Sequence, residues 1–456
     1  MTTDLSSPRS VHLIGIGGAG MAAIAEVLHG SGHRVTGSDL TASKAFDRLV
    51  AMGIGAVIGH DAANIGDPDI VCRSTSIPDS NPEVIEFEGR GGHVLSRGEL
   101  LTAMTSQSRT VAVAGTHGKT TTSSMLAVIS DSAGAEPTYI IGGDVKDLGS
   151  GAAAGSGDWF VIEADESDGS GFALRHTIGV VTNVEPDHLE FYGSEQGLRD
   201  AFAKFVADSA VAVVCADDEG SYALAGGSNV VTYGAREGST YEMREIVRSE
   251  ESTSFALYRG GFELGKLRVP MPGLHNARNA TGAAAAALEM GLPFRSIQSA
   301  LAGFSGVGRR FDDRGSVGGI DFVDDYAHLP TEVDAALAAA LDTRHERIVT
   351  VFQPHRYSRT QALHQDFEGC FSDTDVLIVA GIYSSGEAPR EGVTGQLVVD
   401  AVLRGDSPPS TIYHDDRDTL ASAVTDVLEP GDLCLTLGAG DSVNLPDEIQ
   451  AIIEAR

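Results

Sequence analysis

Two glycine-rich turns constrain the fold of this 456-residue chain more than any other feature. The apolar run VHLIGI (residues 11–16) leads directly into a glycine cluster and then into a helical pattern. A second run, VAVAG (residues 111–115), leads into the turn GTHGKT and another helical pattern. A buried strand, a tight turn and a helix form the repeating unit of parallel α/β sheets. The sequence therefore predicts an α/β fold.

The alternation of apolar runs and helical patterns continues along the chain and predicts three α/β units. Because domains usually hold about 100–200 residues, the length also favours several domains. We predict an N-terminal Rossmann-like domain over residues 1–107, a central P-loop-type domain over 108–311 and a C-terminal Rossmann-like domain over 312–456. Alternating residues between 229 and 270 indicate antiparallel hairpins, and hence a small antiparallel sheet beside the parallel sheet of the central domain.

The charge balance excludes several classes of partner. Acidic side chains number 64 against 32 basic ones, which gives a formal net charge of −32. A surface this acidic repels nucleic acid and anionic lipid, so neither is expected as a partner. No apolar run reaches the roughly 18 residues of a membrane span, and the prediction is a cytoplasmic protein. An anionic ligand must then bind where backbone N–H groups and a few cations create local positive potential.

The first glycine cluster has the spacing Gly15, Gly17 and Gly20, and Asp39 follows nineteen residues after the last glycine. Such glycines let the backbone approach a pyrophosphate at a helix N-terminus, and the acid accepts a hydrogen bond from a ribose hydroxyl. The pattern predicts a site for a nucleoside diphosphate, nicotinamide dinucleotides included. The alternative is that the glycines serve only a tight turn and close helix packing.

The second cluster, GTHGKTTT (residues 115–122), resembles a phosphate-binding loop. In such a loop the amides and Lys119 hold the β- and γ-phosphates of ATP, while the Thr120 hydroxyl reaches Mg²⁺. Val113 stands where the strict motif requires glycine, so the match is to the shorter form in which Gly115 makes the turn. A chance glycine-lysine-threonine turn is the alternative.

Two acidic clusters follow in the same unit, each at the end of a predicted strand. The first runs from Glu163 to Asp168, and the second is NVEPDH, which ends at His188. Because the carboxyl ends of parallel strands meet at one edge of a sheet, both clusters are expected beside the phosphate loop. Oxygen ligands and one imidazole there suit Mg²⁺ held between carboxylates and phosphates. Solvated acidic loops are the alternative.

Four further polar clusters are candidates for ligand contacts. They combine side-chain amides, guanidinium groups and imidazoles, which bind phosphates and carboxylates. An ordinary helix cap, interdomain ion pairs and structural histidines are the respective alternatives. The clusters comprise His275, Asn276 and Asn279; Arg309 and Arg310; Asp324, Tyr326 and His328; and His355, Arg356 and Arg359.

These motifs, in this order and spacing, resemble the Mur ligase family over essentially the whole chain. The segments that carry the resemblance are HLIGIGGAGM, GTHGKTTT, EADESD, NVEPDH, HNARNATGAA, GVGRRFD, DDYAHLPTEV and QPHRYSRT. The resemblance implies a three-domain ligase with ATP and Mg²⁺, two ions being expected. It implies UDP-N-acetylmuramate and L-alanine as substrates, joined through an acyl phosphate, with the recycling ligase that adds an intact tripeptide as the alternative.

The resemblance also implies roles for individual residues. The UDP sugar is expected at Gly15, Gly17, Gly18, Gly20 and Asp39, with further substrate contacts from His355, Arg356 and Arg359. ATP is expected at Gly115, Thr116, His117, Gly118, Lys119, Thr120, Thr121, Asn276, Arg310, Asp324 and Tyr326. The expected Mg²⁺ ligands are Thr120, Glu163 and His188, and the expected catalytic residues are Lys119, Glu163, His188, Arg310 and His328.

This chain departs from the family pattern in one motif. The family usually reads DDYGHHPTEV, whereas this chain has Ala327 and Leu329 in place of the glycine and the second histidine. His328 is retained. The substitution removes any role for a second histidine and predicts a stiffer turn.

Two other classes of function remain as alternatives. A nicotinamide dehydrogenase would use the first glycine cluster but leaves GTHGKTTT and EADESD without a role. A nucleotide-binding regulator would bind ATP without releasing phosphate.

Overall fold

The computed structural model describes residues 3–167 and 169–456, with only the backbone described at Glu190. It contains three sheets, and the strands and helices follow the alternation predicted from the sequence. The chain divides into two compact units. The first comprises Met1–Glu245, Phe255–Leu267 and Arg278–Ser305, and the second Ile246–Ser254, Arg268–Ala277 and Gly306–Arg456.

The first sheet has five parallel strands in the order β3-β2-β1-β4-β5. Its strands are β1 (Ser10–Ile14), β2 (Arg34–Asp39), β3 (Gly55–Ile58), β4 (Ile70–Arg73) and β5 (Val94–Ser96). Its helices are α1 (Ala19–Gly30), α2 (Lys44–Ala51), α3 (Pro82–Gly89) and α4 (Arg97–Thr105). The glycine cluster joins β1, the central strand, to α1, which places it at the carboxyl edge of the sheet.

The second sheet has ten strands in the order β15-β14-β13-β12-β11-β10-β6-β9-β7-β8. They are β6 (Arg109–Ala114), β7 (Thr138–Ile140), β8 (Ala152–Ala153), β9 (Trp159–Glu163), β10 (Ile178–Val181), β11 (Val211–Cys215), β12 (Val230–Gly234), β13 (Tyr241–Arg248), β14 (Thr253–Arg259) and β15 (Phe262–Val269). The accompanying helices are α5 (Lys119–Ser132), α6 (Leu189–Tyr192), α7 (Glu195–Asp208), α8 (Glu219–Tyr222), α9 (Leu274–Glu289) and α10 (Phe294–Ala302). The strands predicted as a separate small sheet are present, but β13 pairs with β12 and so continues the large sheet.

The third sheet has six strands in the order β16-β17-β21-β18-β19-β20, parallel except for the β16–β17 pair. Its strands are β16 (Asp312–Val317), β17 (Ile320–Asp325), β18 (Arg347–Phe352), β19 (Val376–Ala380), β20 (Ser410–His414) and β21 (Asp432–Leu437). Its helices are α11 (Pro330–Asp342), α12 (Tyr357–Leu363), α13 (Gln396–Val402), α14 (Arg417–Thr425) and α15 (Leu445–Glu454).

Apolar burial explains how these elements group. One hydrophobic cluster contains Leu13 and Val27 around the first sheet together with Ala112 and Phe202 around the second. The first sheet and strands β6–β12 therefore belong to one compact unit. The third sheet carries separate apolar clusters built from alternate residues of β18 and its neighbours, as in sheets covered on both faces. The domain boundaries at 107/108 and 311/312 stay predictions.

In the described part of the chain, no helix has the length and apolarity needed to cross a membrane. The four cysteines are free thiols, of which Cys72, Cys215 and Cys434 are buried.

Candidate active site

The first glycine loop is held by hydrogen bonds to Asp39 and Ser43. Gly15 has φ +82°, a conformation that side chains rarely adopt, and a Cβ there would lie 2.9 Å from the Cβ of Ser74. The Gly17 amide donates to Oδ2 of Asp39 (2.9 Å), and the Ser43 hydroxyl donates to the Gly17 carbonyl (2.8 Å). Gly18 precedes α1 without a side-chain cap. No side-chain cap therefore occupies the N–H groups of the first turn of α1 in the described structure, and such groups can bind an anion.

The loop that resembles a phosphate-binding loop lies between β6 and α5. Its glycines have the positive φ angles that a tight turn requires. Gly115 has φ +134° and Gly118 has φ +79°, and a Cβ on Gly115 would lie 1.9 Å from Oγ1 of Thr182. Lys119 begins α5 and curls back over the loop, where its Nζ donates to the carbonyls of Gly115 (2.5 Å) and Thr116 (3.1 Å). This arrangement places one ammonium group and the start of a helix at the same point.

The NVEPDH segment holds this loop from the neighbouring strand β10. The Asn183 side chain accepts from the His117 amide (2.8 Å) and donates to the His117 carbonyl (3.1 Å). Thr116 exchanges hydrogen bonds with the backbone of Glu185, and the His117 ring lies 3.2 Å from a Glu185 oxygen. The predicted convergence of NVEPDH on the phosphate loop is what the structure shows.

The first acidic cluster also reaches the loop, through an ion pair between Lys119 and Glu166. Nζ lies 2.8 Å from Oε1 of Glu166, while Oε2 is buried without a hydrogen-bond partner among the described residues. Burial would lower the pKa of Lys119, but Glu166, Asp165 and Glu163 together raise it, so the ammonium stays charged. Burial raises the pKa of Glu166 despite Lys119. Asp168 of this cluster lies outside the described residues.

The predicted Mg²⁺ ligands are only partly brought together. The Ser123 hydroxyl lies 3.3 Å from Oε1 of Glu163, which places Glu163 beside the first turns of α5, the helix that carries Thr120. His188 has φ +52°, and its ring lies 3.4 Å from Asp187. Among residues 3–167 and 169–456, no three His, Cys, Asp or Glu side chains form a metal-binding group. The oxygen donors nevertheless fit Mg²⁺, which uses few protein ligands when phosphates and water complete its shell.

In the second unit, Arg309, Arg310 and Tyr326 form one cluster. Both guanidinium groups lie over the Tyr326 ring, 5.0 and 4.9 Å from its centroid. Asp324 is fully buried; it accepts from Thr436 (2.7 Å) and from Arg309 (3.3 Å). Asp324 therefore acts on this cluster by holding Arg309. Burial raises the pKa of its neighbour Asp325 to about 6, although Arg310 and two backbone N–H groups oppose the shift.

The predicted substrate residues His355 and Arg359 lie beside His328. The two imidazole rings are 5.5 Å apart, and Arg359 lies 3.1 Å from Nδ1 of His355. The His355 ring also stacks on Tyr383. Burial and the neighbouring His328, Arg359 and Arg356 lower the pKa of His355 to about 3, so this imidazole is neutral near pH 7. Arg356 has φ +69° and a buried Nε without a hydrogen-bond partner among the described residues.

The remaining predicted positions lie on α9 and in the DDYAHLP turn. The Asn276 side chain is buried and donates to the Pro272 carbonyl (2.7 Å), whereas the Asn279 side chain lies against Gly118. Ala327 and Leu329 are both buried and apolar. Ala327 is not among the residues with positive φ, so this turn does not need glycine.

Three family models match consecutive parts of the chain. Residues 10–109 match the Mur ligase family catalytic domain, 113–287 the Mur ligase middle domain, and 309–440 the Mur ligase glutamate ligase domain. The UDP-N-acetylmuramate–L-alanine ligase of Geobacter sp. (strain M21) is 44% identical over 94% of this chain and 95% of its own length. This chain belongs to the Mur ligase family.

Solved structures agree with this assignment. The UDP-N-acetylmuramate–alanine ligase of Thermotoga maritima covers 98% of this chain and 99% of its own, with a TM-score of 0.82 at 28% identity. The murein peptide ligase of Psychrobacter arcticus shares the fold, with a TM-score of 0.69 at 23% identity over 97% and 98% of the two chains. The predicted three-domain α/β organisation is confirmed, and Mur ligases are ATP-dependent amide-forming ligases.

The structure places at the two loops three residues to which the sequence motifs gave no individual role. Thr182 donates to the His117 carbonyl (2.5 Å), and Glu166 pairs with Lys119. Glu166 lies inside EADESD, and Thr182 directly precedes NVEPDH. Their positions just after predicted strands could therefore have indicated that they lie at the loop. Arg97 lies beside Gly20, and no motif identified from the sequence contains it.

Proposed function

We propose that this Mur ligase joins L-alanine to the lactyl carboxylate of UDP-N-acetylmuramate, with cleavage of ATP to ADP and phosphate. The observation that carries the proposal is the 44% identity to a ligase of that name over almost the full length of both chains. The Lys119 loop supports it, because a charged ammonium beside an uncapped helix start suits a triphosphate.

The reaction follows from balanced bond changes. The lactyl carboxylate attacks the γ-phosphorus of ATP, the bond to the β-phosphate oxygen breaks, and ADP leaves. The amine of L-alanine then attacks the acyl phosphate, a proton is lost from nitrogen, and phosphate leaves as the amide forms. The main obstacle is repulsion between the carboxylate and the triphosphate, which fixed positive groups offset.

In this proposal, Lys119 and the amides of residues 115–121 hold the phosphates, and Arg310, with Tyr326 beneath it, adds a further cation. Two Mg²⁺ ions, when bound through Thr120, Glu163 and His188, supply Lewis-acid neutralisation of the phosphate charge. Gly15, Gly17, Gly18 and Gly20 hold the UDP part. His355, Arg356 and Arg359 contact the acceptor substrates, with His328 packed against them. We place the enzyme in the cytoplasm, where ATP is available.

Phosphate release tests the assignment. The purified protein receives ATP, Mg²⁺ and UDP-N-acetylmuramate with either L-alanine or the tripeptide L-alanyl-γ-D-glutamyl-meso-diaminopimelate. We expect release with L-alanine only. Turnover with the tripeptide alone would assign the recycling reaction instead. Binding of ATP without turnover on either substrate would make the protein a nucleotide-binding regulator.

A further inference from the structure

Arg97 lies at the first glycine loop, and the proposed function gives it no role. It is the first residue of α4, whose start is capped by Ser96 and Glu99. About a quarter of its side chain is exposed (24%). The cap fixes the backbone from which the guanidinium extends.

On one side, the guanidinium covers the start of α1. A Cβ built on Gly20 would lie 2.9 Å from Nη1 of Arg97. Gly20 is the second residue of α1 and does not have a positive φ, so its backbone alone does not require glycine. The missing side chain instead leaves room for the guanidinium beside the first N–H groups of the helix.

On the other side, the same group touches the acidic segment of the central domain. Nη2 lies 3.4 Å from Oγ of Ser170 and 3.9 Å from Oδ2 of Asp165. Burial would raise the pKa of Asp165, but the positive charge of Lys119 lowers it. Arg97 adds a smaller lowering effect on the same pKa. These contacts orient the guanidinium towards α1.

Open space adjoins the guanidinium. A cavity of about 1,090 Å³ is lined by Arg97 together with Thr75, Ser170 and Tyr192. Thr75 follows Ser74, which abuts Gly15 of the glycine loop. The cavity that Arg97 lines therefore extends to the residue next to Ser74, the neighbour of the glycine loop.

We propose that Arg97 binds the diphosphate of the UDP sugar, with its guanidinium and the first N–H groups of α1 sharing the phosphate oxygens. The inference rests on the proposed function for the identity of the ligand. A planar guanidinium offers two parallel donors to a phosphate, and a protein of net charge −32 needs such a local cation to hold an anion.

Calorimetric titration with UDP and with uridine tests this contact. Arg97→Gln is compared with Arg175→Gln, which removes an exposed arginine from the wall of the same cavity. We expect Arg97→Gln to weaken UDP binding at least about 10-fold and to leave uridine and ATP binding unchanged, because only the diphosphate loses a partner. Equal UDP affinity in Arg97→Gln and the unmodified protein, or an equal loss in Arg175→Gln, would overturn the proposal.

Two further variants keep the test decisive if Arg97→Gln does not fold. Arg97→Lys keeps the charge but not the paired donors, and a smaller loss of UDP affinity with unchanged uridine affinity is expected. Gly20→Ala displaces the guanidinium, so as a single substitution it should weaken UDP binding. Combined with Arg97→Lys, it should cause little further loss of UDP affinity. Fully additive losses would contradict the contact.

The titrations need no turnover, so they separate this proposal from the proposed function. A protein that binds UDP through Arg97 but does not ligate L-alanine refutes the function alone. A protein that ligates L-alanine with Arg97→Gln at unchanged UDP affinity refutes the contact alone.

Discussion

At the scale of single residues, the site depends on a few cations placed by backbone geometry in an acidic chain. Lys119 could be predicted because strand, turn, lysine and helix are contiguous in sequence. Its partner Glu166 lay within a predicted cluster, but which of the acidic residues faces Lys119 depends on the turn after β9. Arg97 could not be predicted, because its approach to Gly20 joins residues 77 positions apart in the chain and depends on tertiary structure.

Replacing Lys119 with methionine tests the division of labour within the site. Removing the ammonium that faces the loop should reduce phosphate release by about 10³-fold or more, since a fixed cation stabilises charge that develops during phosphoryl transfer. UDP binding should be unchanged. Lys204→Met, on the exposed face of α7, is the matched control and should retain full turnover. Equal activity in both variants would exclude Lys119 from the phosphate site.

At the scale of elements, patterns of burial and turn residues predicted most strands of the three sheets. Runs such as Val111–Ala114 are apolar throughout, as expected for parallel strands covered on both faces. The joining of β13–β15 to the large sheet could not be predicted, because it depends on the pairing of β12 with β13 at only Tyr233 and Gly234. Alternation of apolar and polar residues predicts that a segment forms a strand, but it does not predict which strand pairs with it.

The phosphate loop is the element most sensitive to an added methyl group. Gly115→Ala combines φ +134° with a Cβ 1.9 Å from Thr182, and should lower the free energy of unfolding by about 2–4 kcal/mol. Gly226→Ala, where a Cβ meets nothing within 4 Å and φ is not positive, is the control and should change it by less than about 1 kcal/mol. Urea unfolding measures both. Similar midpoints for the two variants would contradict the tight approach of this loop to β10.

The first sheet contains a buried acid whose ionisation should stabilise the fold. Glu83 is fully buried and accepts from Ser38 (2.7 Å) and Asn64 (3.0 Å), and it contacts His12 (3.0 Å). Burial alone would raise its pKa, but these hydrogen bonds lower it to about 2. A depressed folded-state pKa gives stability that is present above the unfolded value near 4.5 and is lost as the pH falls towards 2.

Glu83→Gln should therefore lower the free energy of unfolding at pH 7 by about 3 kcal/mol, and this difference from the unmodified protein should shrink between pH 4.5 and 2. Glu88→Gln, an exposed position on the same helix, serves as the control and should leave the pH profile unchanged. A constant difference at every pH would show that ionisation of Glu83 does not contribute.

At the scale of the whole molecule, a protein of net charge −32 has to bind two anionic substrates against electrostatic repulsion. We propose that two helix starts behind glycine loops, together with Lys119, Arg97 and Arg310, supply positive potential at the ligands, and that carboxylates such as Glu163 act through bound Mg²⁺. The sequence predicted three domains and their order. It did not predict that the first two sheets share one apolar cluster, because that packing joins residues distant in the chain.

Transfer of oxygen from the lactyl carboxylate to phosphate tests whether ligation proceeds through an acyl phosphate. UDP-N-acetylmuramate labelled with ¹⁸O in both lactyl carboxylate oxygens is incubated with the enzyme, ATP, Mg²⁺ and L-alanine, and the released phosphate is analysed by mass spectrometry. Ligation through an acyl phosphate predicts one ¹⁸O atom in each phosphate and the second in the new amide. Phosphate without ¹⁸O, or no amide product with L-alanine, would contradict the account.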